Sequence, residues 1–484
     1  MFATFSPPHR LIIQIEHAGE MKHLNKIFFY LFLFLLIPTS NYAQNNSLSK
    51  TIKQNKSDEK IKLLEGQIAA WQKDLNVPNV GLGIIQDGKL IHAKVYGKDS
   101  TGSLKPVNTL FNVASVTKVI FSTLVLKLID NSDWQLDEPL YHYYTDPDIA
   151  SDSLSKKLTT RHILSQQSGF SNWRWMNASG KLQFEFAPGT KFNYSGEGME
   201  YLKKAIEHKF HKSLVQLSDS ILFKPFSMID TKHEWNGKQD LKRFSRWYDA
   251  NGKEYTKSNY ASEPSAADDL ITTVTDLSKF GIETLNGLHI SKQLFNEIIK
   301  GQAKINQNLM QGLGWRLIKD LPNHEYAMEH GGNDAGVAAI IVLLPKSKRG
   351  IIVLTNGDNG QIICNNIVRS FWPEGTEIIH KALKSTALND IPKVFKISDD
   401  ILNTYTGKYI RPDGEEVNIY KKDKNLILKT IGLPTFNLFP QTQEIFFLWD
   451  FDPKIIFTKN EKGIVDTLLI KDGDNILKCT KMDK

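Results

Sequence analysis

The chain has 484 residues, 41% hydrophobic and 23% charged, an ordinary composition for a folded protein and too long for one domain of typical size. Its 60 basic and 53 acidic residues give a formal charge of +7 without a long basic block, which excludes the electrostatic footprint of a nucleic-acid binder. Two cysteines, Cys364 and Cys479, exclude a disulfide framework, so stability must come from a large core, with both thiols expected buried and unpaired.

Near the start, Lys22 and Lys26 precede the apolar run Ile27 to Ile37, followed by Pro38, Thr39, Ser40 and the small residue Ala43. This is the layout of a secretory signal peptide, read over residues 1–43 with cleavage after Ala43. Met21 is an alternative start, because Glu16 and Glu20 stand ahead of the apolar run. The run falls short of the roughly 20 apolar residues of a bilayer span, so the membrane is met only in transit, a retained anchor being the competing reading. An exported protein, periplasmic or secreted, is expected.

Residues 44–58 form a polar leader, and a first folded domain is read over 59–385. Ile61, Leu64, Ile68 and Trp71 recur at helical spacing. Val80 to Gln86 and Leu90 to Tyr96 read as strands joined at Asp87 and Gly88, a dipeptide suited to a tight hairpin turn. An apolar helix follows from Val119 to Ile129, then an α-rich insertion from about Leu136 to Gly287, with helical signals at Glu200 to Glu207 and Asp276 to Leu285.

Strand patterns return at Gly314 to Ile318, Ala338 to Leu344 and Gly350 to Thr355, and a helix from Gln361 to Phe371, broken at Pro373 and Gly375 and resumed to Lys384, closes this domain. The fold class is therefore α/β of the α+β kind, an antiparallel sheet flanked by helices. From 396 to 484 short alternating runs separated by turn signals argue for a small antiparallel β domain, barrel-like.

Chemistry concentrates at FNVASVTK, residues 111–118, where Ser115 and Lys118 share a helix face at i and i+3. The same spacing at Ser47 and Lys50, Ser57 and Lys60, and Ser153 and Lys156 falls in polar, solvated stretches. At Ser115 an extended approach stops and an apolar helix begins, so free backbone N–H groups there favour developing negative charge. A lysine acts as a base only where its surroundings favour the free amine, and Ala114, Val119 and Ile120 supply an apolar setting. A serine N-cap followed by a solvated lysine fits the same residues.

Two further segments agree: FNYSGEG at 192–198, with Tyr194 in a loop before a helix, and HGGNDAG at 330–336, placed ahead of the strand Ala338 to Leu344. With these motifs the chain resembles the serine β-lactamase and penicillin-binding-protein superfamily, in particular the class C β-lactamase-related branch with its D-alanyl-D-alanine peptidases and esterases. Ser115 to Lys118, Tyr194 and His330 to Gly332 match in order and spacing. LTTRHILSQQSGF at 158–170, FAPGTKFNYS at 186–195, AADDLITTVTDLSKF at 266–280 and GLGWR at 312–316 support them, over about Ile61 to Lys384.

The resemblance implies an acyl-enzyme mechanism on a peptide, amide or ester, with Ser115 as nucleophile and Lys118 and Tyr194 managing its proton. His330, Gly332 and Asn333 would bind substrate, the N–H groups of Ser115 and Asn333 forming an oxyanion hole. Which of Lys118 and Tyr194 is the base stays open. Relatives carry Tyr-x-Asn, whereas this chain has Tyr194, Ser195 and Gly196, which puts β-lactam hydrolysis in doubt; Asn193 or Glu197 are the candidates to compensate. The same departure motivates a second possibility, a non-catalytic protein that binds cell-wall fragments or peptides. No HExxH motif, P-loop or GxGxxG fingerprint is present, so no metal or cofactor is expected, and the partner is a small-molecule or peptide substrate.

Overall fold

The computed structural model describes residues 39–99, 101–234, 243–256, 263–383, 394–422, 425–430, 436–448, 453–472 and 475–482. The apolar run of the expected signal peptide lies outside them. Residues 1–63 form one unit of the chain and 64–484 another. Helix α1, Thr39–Leu75, takes in the segment read as a polar leader. No proline and only one glycine, Gly66, interrupts it, so polarity alone does not stop the helix.

The hairpin of β1 (Val80–Gln86) and β2 (Lys89–Tyr96) turns as expected at Asp87 and Gly88, both left-handed with φ of 50° and 71°. A short β3 (Phe111–Asn112) leads into α2 (Thr117–Asp130); α3 (Thr160–Leu164), α4 (Gly196–Phe210) and α5 (Leu214–Ser218) belong to the helical insertion. β4 (Ile271–Thr272) and α6 (Val274–Leu285) complete it, and α7 (Lys292–Ile299) follows.

The chain then returns to the sheet through β5 (Ala303–Lys304), β6 (Leu309–Gln311), β7 (Arg316–Leu321), β8 (Glu325–Asp334), β9 (Val337–Leu344) and β10 (Arg349–Thr355). The eight-stranded order is β2-β1-β10-β9-β8-β7-β6-β5, so hairpins from both sides of the insertion share one sheet.

Side-chain alternation sorts the layers. Gly81 and Gly83 of β1 lie against Val274 of α6, in register with Leu354 and Ile352 of β10. Thr355 and Ala338 point the other way, onto Gly360 of α8 (Gly360–Phe371), which α9 (Gly375–Leu383) follows. With both faces covered, Val337 to Leu344 is buried along its whole length, which explains its unbroken apolar run. Cys364 of α8 is a buried free thiol, as expected.

The C-terminal region is a closed antiparallel barrel preceded by α10 (Asp399–Tyr405). Its strands are β11 (Gly407–Ile410), β12 (Glu416–Lys422), β13 (Asn425–Thr430), β14 (Phe436–Pro440), β15 (Ile445–Phe447), β16 (Lys454–Lys459), β17 (Val465–Asp472) and β18 (Asn475–Lys481). Pairing of Tyr409 with Lys481 and Ile410 with Thr480 closes it, removing free edges. Tyr405 stacks on Phe457 at 4.4 Å between ring centroids in its core, and its buried hydroxyl donates to the Gln443 carbonyl at 2.9 Å.

Candidate active site

Ser115 sits in a tight turn, Ala114–Val116, between β3 and α2. Pairing of Phe111 with Thr272 and Asn112 with Ile271 fixes the approach. Ala114 holds φ of +44°, a left-handed conformation that costs an alanine about 1–2 kcal/mol. Two bonds maintain it: Asn112 Oδ1 accepts from the Ala114 N–H at 2.7 Å, and Thr117 Oγ1 donates to the Ala114 carbonyl at 2.6 Å. Such local strain at a reactive position must be held by its surroundings, and here buried partners hold it.

Helix α2 is buried nearly all round, and it carries Lys118, 1% exposed, back toward the turn. The Lys118 amine donates to Ser115 Oγ at 2.9 Å and to the Ala267 carbonyl at 2.7 Å. Glu200 of α4 holds that carbonyl's loop from behind, accepting from the N–H groups of Ala266 and Ala267 at 2.8 and 3.2 Å. The Tyr194 ring covers the amine, its centroid 4.8 Å from Nζ, and Tyr194 lies 6.5 Å from His330 between ring centroids. Residues more than 200 positions apart in the sequence thus meet around one amine.

The HGG motif, which stands ahead of the strand Ala338 to Leu344 in the sequence, lies inside a strand of its own, β8, in register with β9. Histidine, glycine and asparagine are poor strand formers, so the local pattern concealed what the sheet imposes. Alternation turns His330 and Gly332 to the Ser115 side. A Cβ on Gly332 would sit 2.1 Å from the Val113 carbonyl oxygen and 3.1 Å from the Ser115 nitrogen, so only glycine lets strand and turn touch. Gly332→Ala should therefore lower stability by about 1–3 kcal/mol and any turnover at Ser115 by about 100-fold, since the strand must back away from that residue. Urea unfolding and initial rates measure the two effects.

His330 is buried and its ring is pushed down to about 3, by burial first and then by Arg316 and Lys118. It is therefore neutral at pH 7, and because its Nδ1 lies 2.7 Å from the Gly331 carbonyl, which only accepts, the proton belongs on Nδ1. A second buried histidine, His233, is likewise lowered to about 3 by burial. Asp268 goes the other way, raised to about 7 by burial and by Asp269. Its carboxylate, with those of Asp269 and Asp334, lies in a group whose ligand atoms fall within 4.8 Å of one another.

These shifts fix a pH dependence. Between about 3 and 6.5 the unfolded histidines bind protons that the folded ones refuse, so their stabilisation is complete above 6.5 and lost as pH falls. Asp268 keeps a proton in the fold that its unfolded carboxyl has released, so its contribution declines as pH rises from 3.8 to about 7. Asp268→Asn should remove that decline, and the stability difference between variant and wild type, read from urea midpoints, should grow in the variant's favour from pH 4 to pH 7.

A cavity of about 530 Å³ opens on this cluster, lined by Ser115, Tyr194, His330, Gly332 and Asn333 among others. Strand β7 pairs with β8 only from Glu325 to Glu329, so among the described residues the β7 side of His330 to Asp334 carries no ladder partner and the cavity lies along it. Every residue singled out in the sequence for chemistry is therefore at one site. Of the competing spacings, Ser153 and Lys156 are both exposed, and Lys60 is exposed on α1; the side chains of Ser47 and Lys50 lie outside the described residues.

The departure at Gly196 has a structural cause. A side chain there would begin 2.7 Å from the Trp173 indole, which fills the place. Neither expected substitute is available: Asn193 donates to the Phe170 carbonyl at 2.9 Å, and Glu197 is paired with Arg174 at 2.5 Å. Three contributors were not picked out from the sequence: the Ala267 carbonyl, and the Arg316–Glu329 pair at the cavity wall, although GLGWR and the residue before HGG contain them.

Comparison with known proteins finds relatives in sequence and in fold. The chain is 22% identical over 436 residues to penicillin-binding protein 4* of Bacillus subtilis (strain 168), covering 80% of this chain and 92% of that one. It is 24% identical over 306 residues to protein flp of Staphylococcus aureus (strain MRSA252), covering 58% and 60%. Its fold is shared with the octameric penicillin-binding protein homologue from Pyrococcus abyssi, at TM-score 0.60, 18% identity and coverage of 87% and 100%. The D-alanine carboxypeptidase AmpC from Burkholderia cenocepacia superposes at TM-score 0.55, with 20% identity and coverage of 65% and 99%. Residues 392–481 match a domain of unknown function, DUF3471. Residues 64–362, which carry the whole Ser115 cluster, match the Beta-lactamase family model, and the chain belongs to that family.

Proposed function

We propose that this protein is an exported serine hydrolase that forms an acyl-enzyme through Ser115 on a peptide, amide or ester. The observation that carries the proposal is the 2.9 Å contact between Lys118 Nζ and Ser115 Oγ inside a buried, cavity-facing cluster. Attack requires Lys118 as the free amine: Oγ bonds to the substrate carbonyl carbon while its proton passes to Nζ. The carbonyl oxygen takes up negative charge facing the N–H groups assigned to this task, those of Ser115 and Asn333; backbone donors so placed contribute about 3 kcal/mol. Collapse breaks the bond to the leaving group, which receives the proton held at Lys118 with Tyr194 alongside. Water, or another acceptor, then releases the acyl group.

The open edge of β8 supports an extended substrate lying beside His330 to Asn333. Trp173 in place of a polar side chain at position 196 favours peptide or ester substrates over β-lactams. Turnover measured across short-chain p-nitrophenyl esters, D-alanyl peptides and β-lactams tests this: ester or peptide hydrolysis exceeding β-lactam hydrolysis is expected. Tight binding without turnover or covalent adduct would instead establish a binding protein. Export rests on the pattern at residues 22–43, and a mature N-terminus other than Gln44 would contradict the assigned cleavage.

A further inference from the structure

We infer that Glu329 sets the substrate preference of this cavity, selecting a group that ends in a primary carboxamide over one that ends in a carboxylate. This deepens the acyl-transfer reading of Ser115 and rests on it. Arg316 of β7 and Glu329 of β8 face each other in register, and an Arg316 guanidinium nitrogen, Nη2, meets Glu329 Oε1 at 2.7 Å. Both line the cavity that Ser115 lines. They are the charged side chains among the described residues of its wall, and they offset each other.

The next residue on that face is Gly331, which puts no side chain over the pair. A Cβ there would lie 3.5 Å from Arg316 Nη2 and 3.7 Å from Glu329 Oε1, so any side chain at 331 would occupy the space in front of the pair. One position on, Gly332 touches the Ser115 turn from the opposite face of β8, so the pair and Ser115 reach the shared cavity from the two sides of that strand.

The bonding capacity of the pair is incomplete. The Glu329 side chain is 1% exposed and that of Arg316 30%, and Glu329 Oε2 and Arg316 Nε are buried without a hydrogen-bond partner. A buried carboxylate oxygen in this state calls for a donor, and the exposed guanidinium edge calls for an acceptor. A primary carboxamide offers both in one plane. A carboxylate offers acceptors alone and brings like charge against Glu329, and an ammonium group leaves Arg316 unserved.

The test uses N-acetyl-D-alanyl-D-alaninamide and N-acetyl-D-alanyl-D-alanine, which differ only at the terminal group, as competitive inhibitors of p-nitrophenyl acetate turnover by the full protein. The wild type should bind the carboxamide at least about tenfold more tightly. In Glu329→Gln, with folding checked by circular dichroism, Arg316 is unopposed and the ratio should fall to about one or invert. A wild-type ratio at or below one, no inhibition by either peptide, or a folded Glu329→Gln variant that keeps the preference overturns the inference. If the variant does not fold, the wild-type ratio decides. Absence of ester turnover, with no adduct on Ser115, overturns the acyl-transfer reading itself and this inference with it.

Discussion

Ser115→Ala should lower ester or peptide turnover by on the order of 10⁴-fold to 10⁶-fold, the scale on which loss of a serine nucleophile acts. The effect should be almost purely kinetic. The hydroxyl is half-buried and bonded to Lys118, which keeps its second acceptor, the Ala267 carbonyl, in the variant. Loss of that one bond changes stability by about 1 kcal/mol or less. Initial rates beside urea unfolding separate the two: a folded variant that retains more than about one per cent of wild-type turnover would remove Ser115 from the chemistry.

Lys118→Met should be nearly as severe, lowering turnover by about 1,000-fold while leaving the fold intact. Methionine fills the volume and removes the amine. The Ala267 carbonyl loses its donor, which costs about 1–3 kcal/mol, but burial of a strongly hydrated amine at 1% exposure is relieved. The two offset, so stability should change by no more than about 2 kcal/mol, as happens where a functional group is kept at the expense of stability. Lys118→Arg separates charge from proton transfer, since guanidinium does not release its proton in this pH range. If the arginine variant keeps wild-type turnover, Lys118 acts as a fixed charge and not as a base.

Most of the fold was legible wherever one face or both faces of an element are apolar. The Asp87–Gly88 hairpin, the buried run Val337 to Leu344 and the break at Pro373 and Gly375 all announce themselves through period and turn chemistry. Elements with a weak strand pattern of their own did not. β8 carries the HGG motif but shows no strand alternation there, because its conformation is imposed by β9 and by contact of Gly332 with the Ser115 turn. Leu309–Gln311 is a strand for the same reason, with its partner in β7.

The candidate site divides along the same line. Ser115, Lys118, Tyr194 and His330 have side chains suited to chemistry and stand in recognisable spacings. The Ala267 carbonyl is invisible in any motif, because a backbone oxygen has no residue type. Glu329 reads as an ordinary strand residue until Arg316 is placed opposite it at 2.7 Å. Gly196 looked like a missing contact, and the structure shows the reason: Trp173 occupies the space.

The most direct test is peptide-resolved mass spectrometry of the full protein, acid-quenched during turnover of p-nitrophenyl acetate. An acetyl adduct on the peptide that contains Ser115, absent from Ser115→Ala and slower to form in Lys118→Met, is the result expected. Turnover that proceeds with Ser115 unmodified, or with the adduct on another residue, would contradict it.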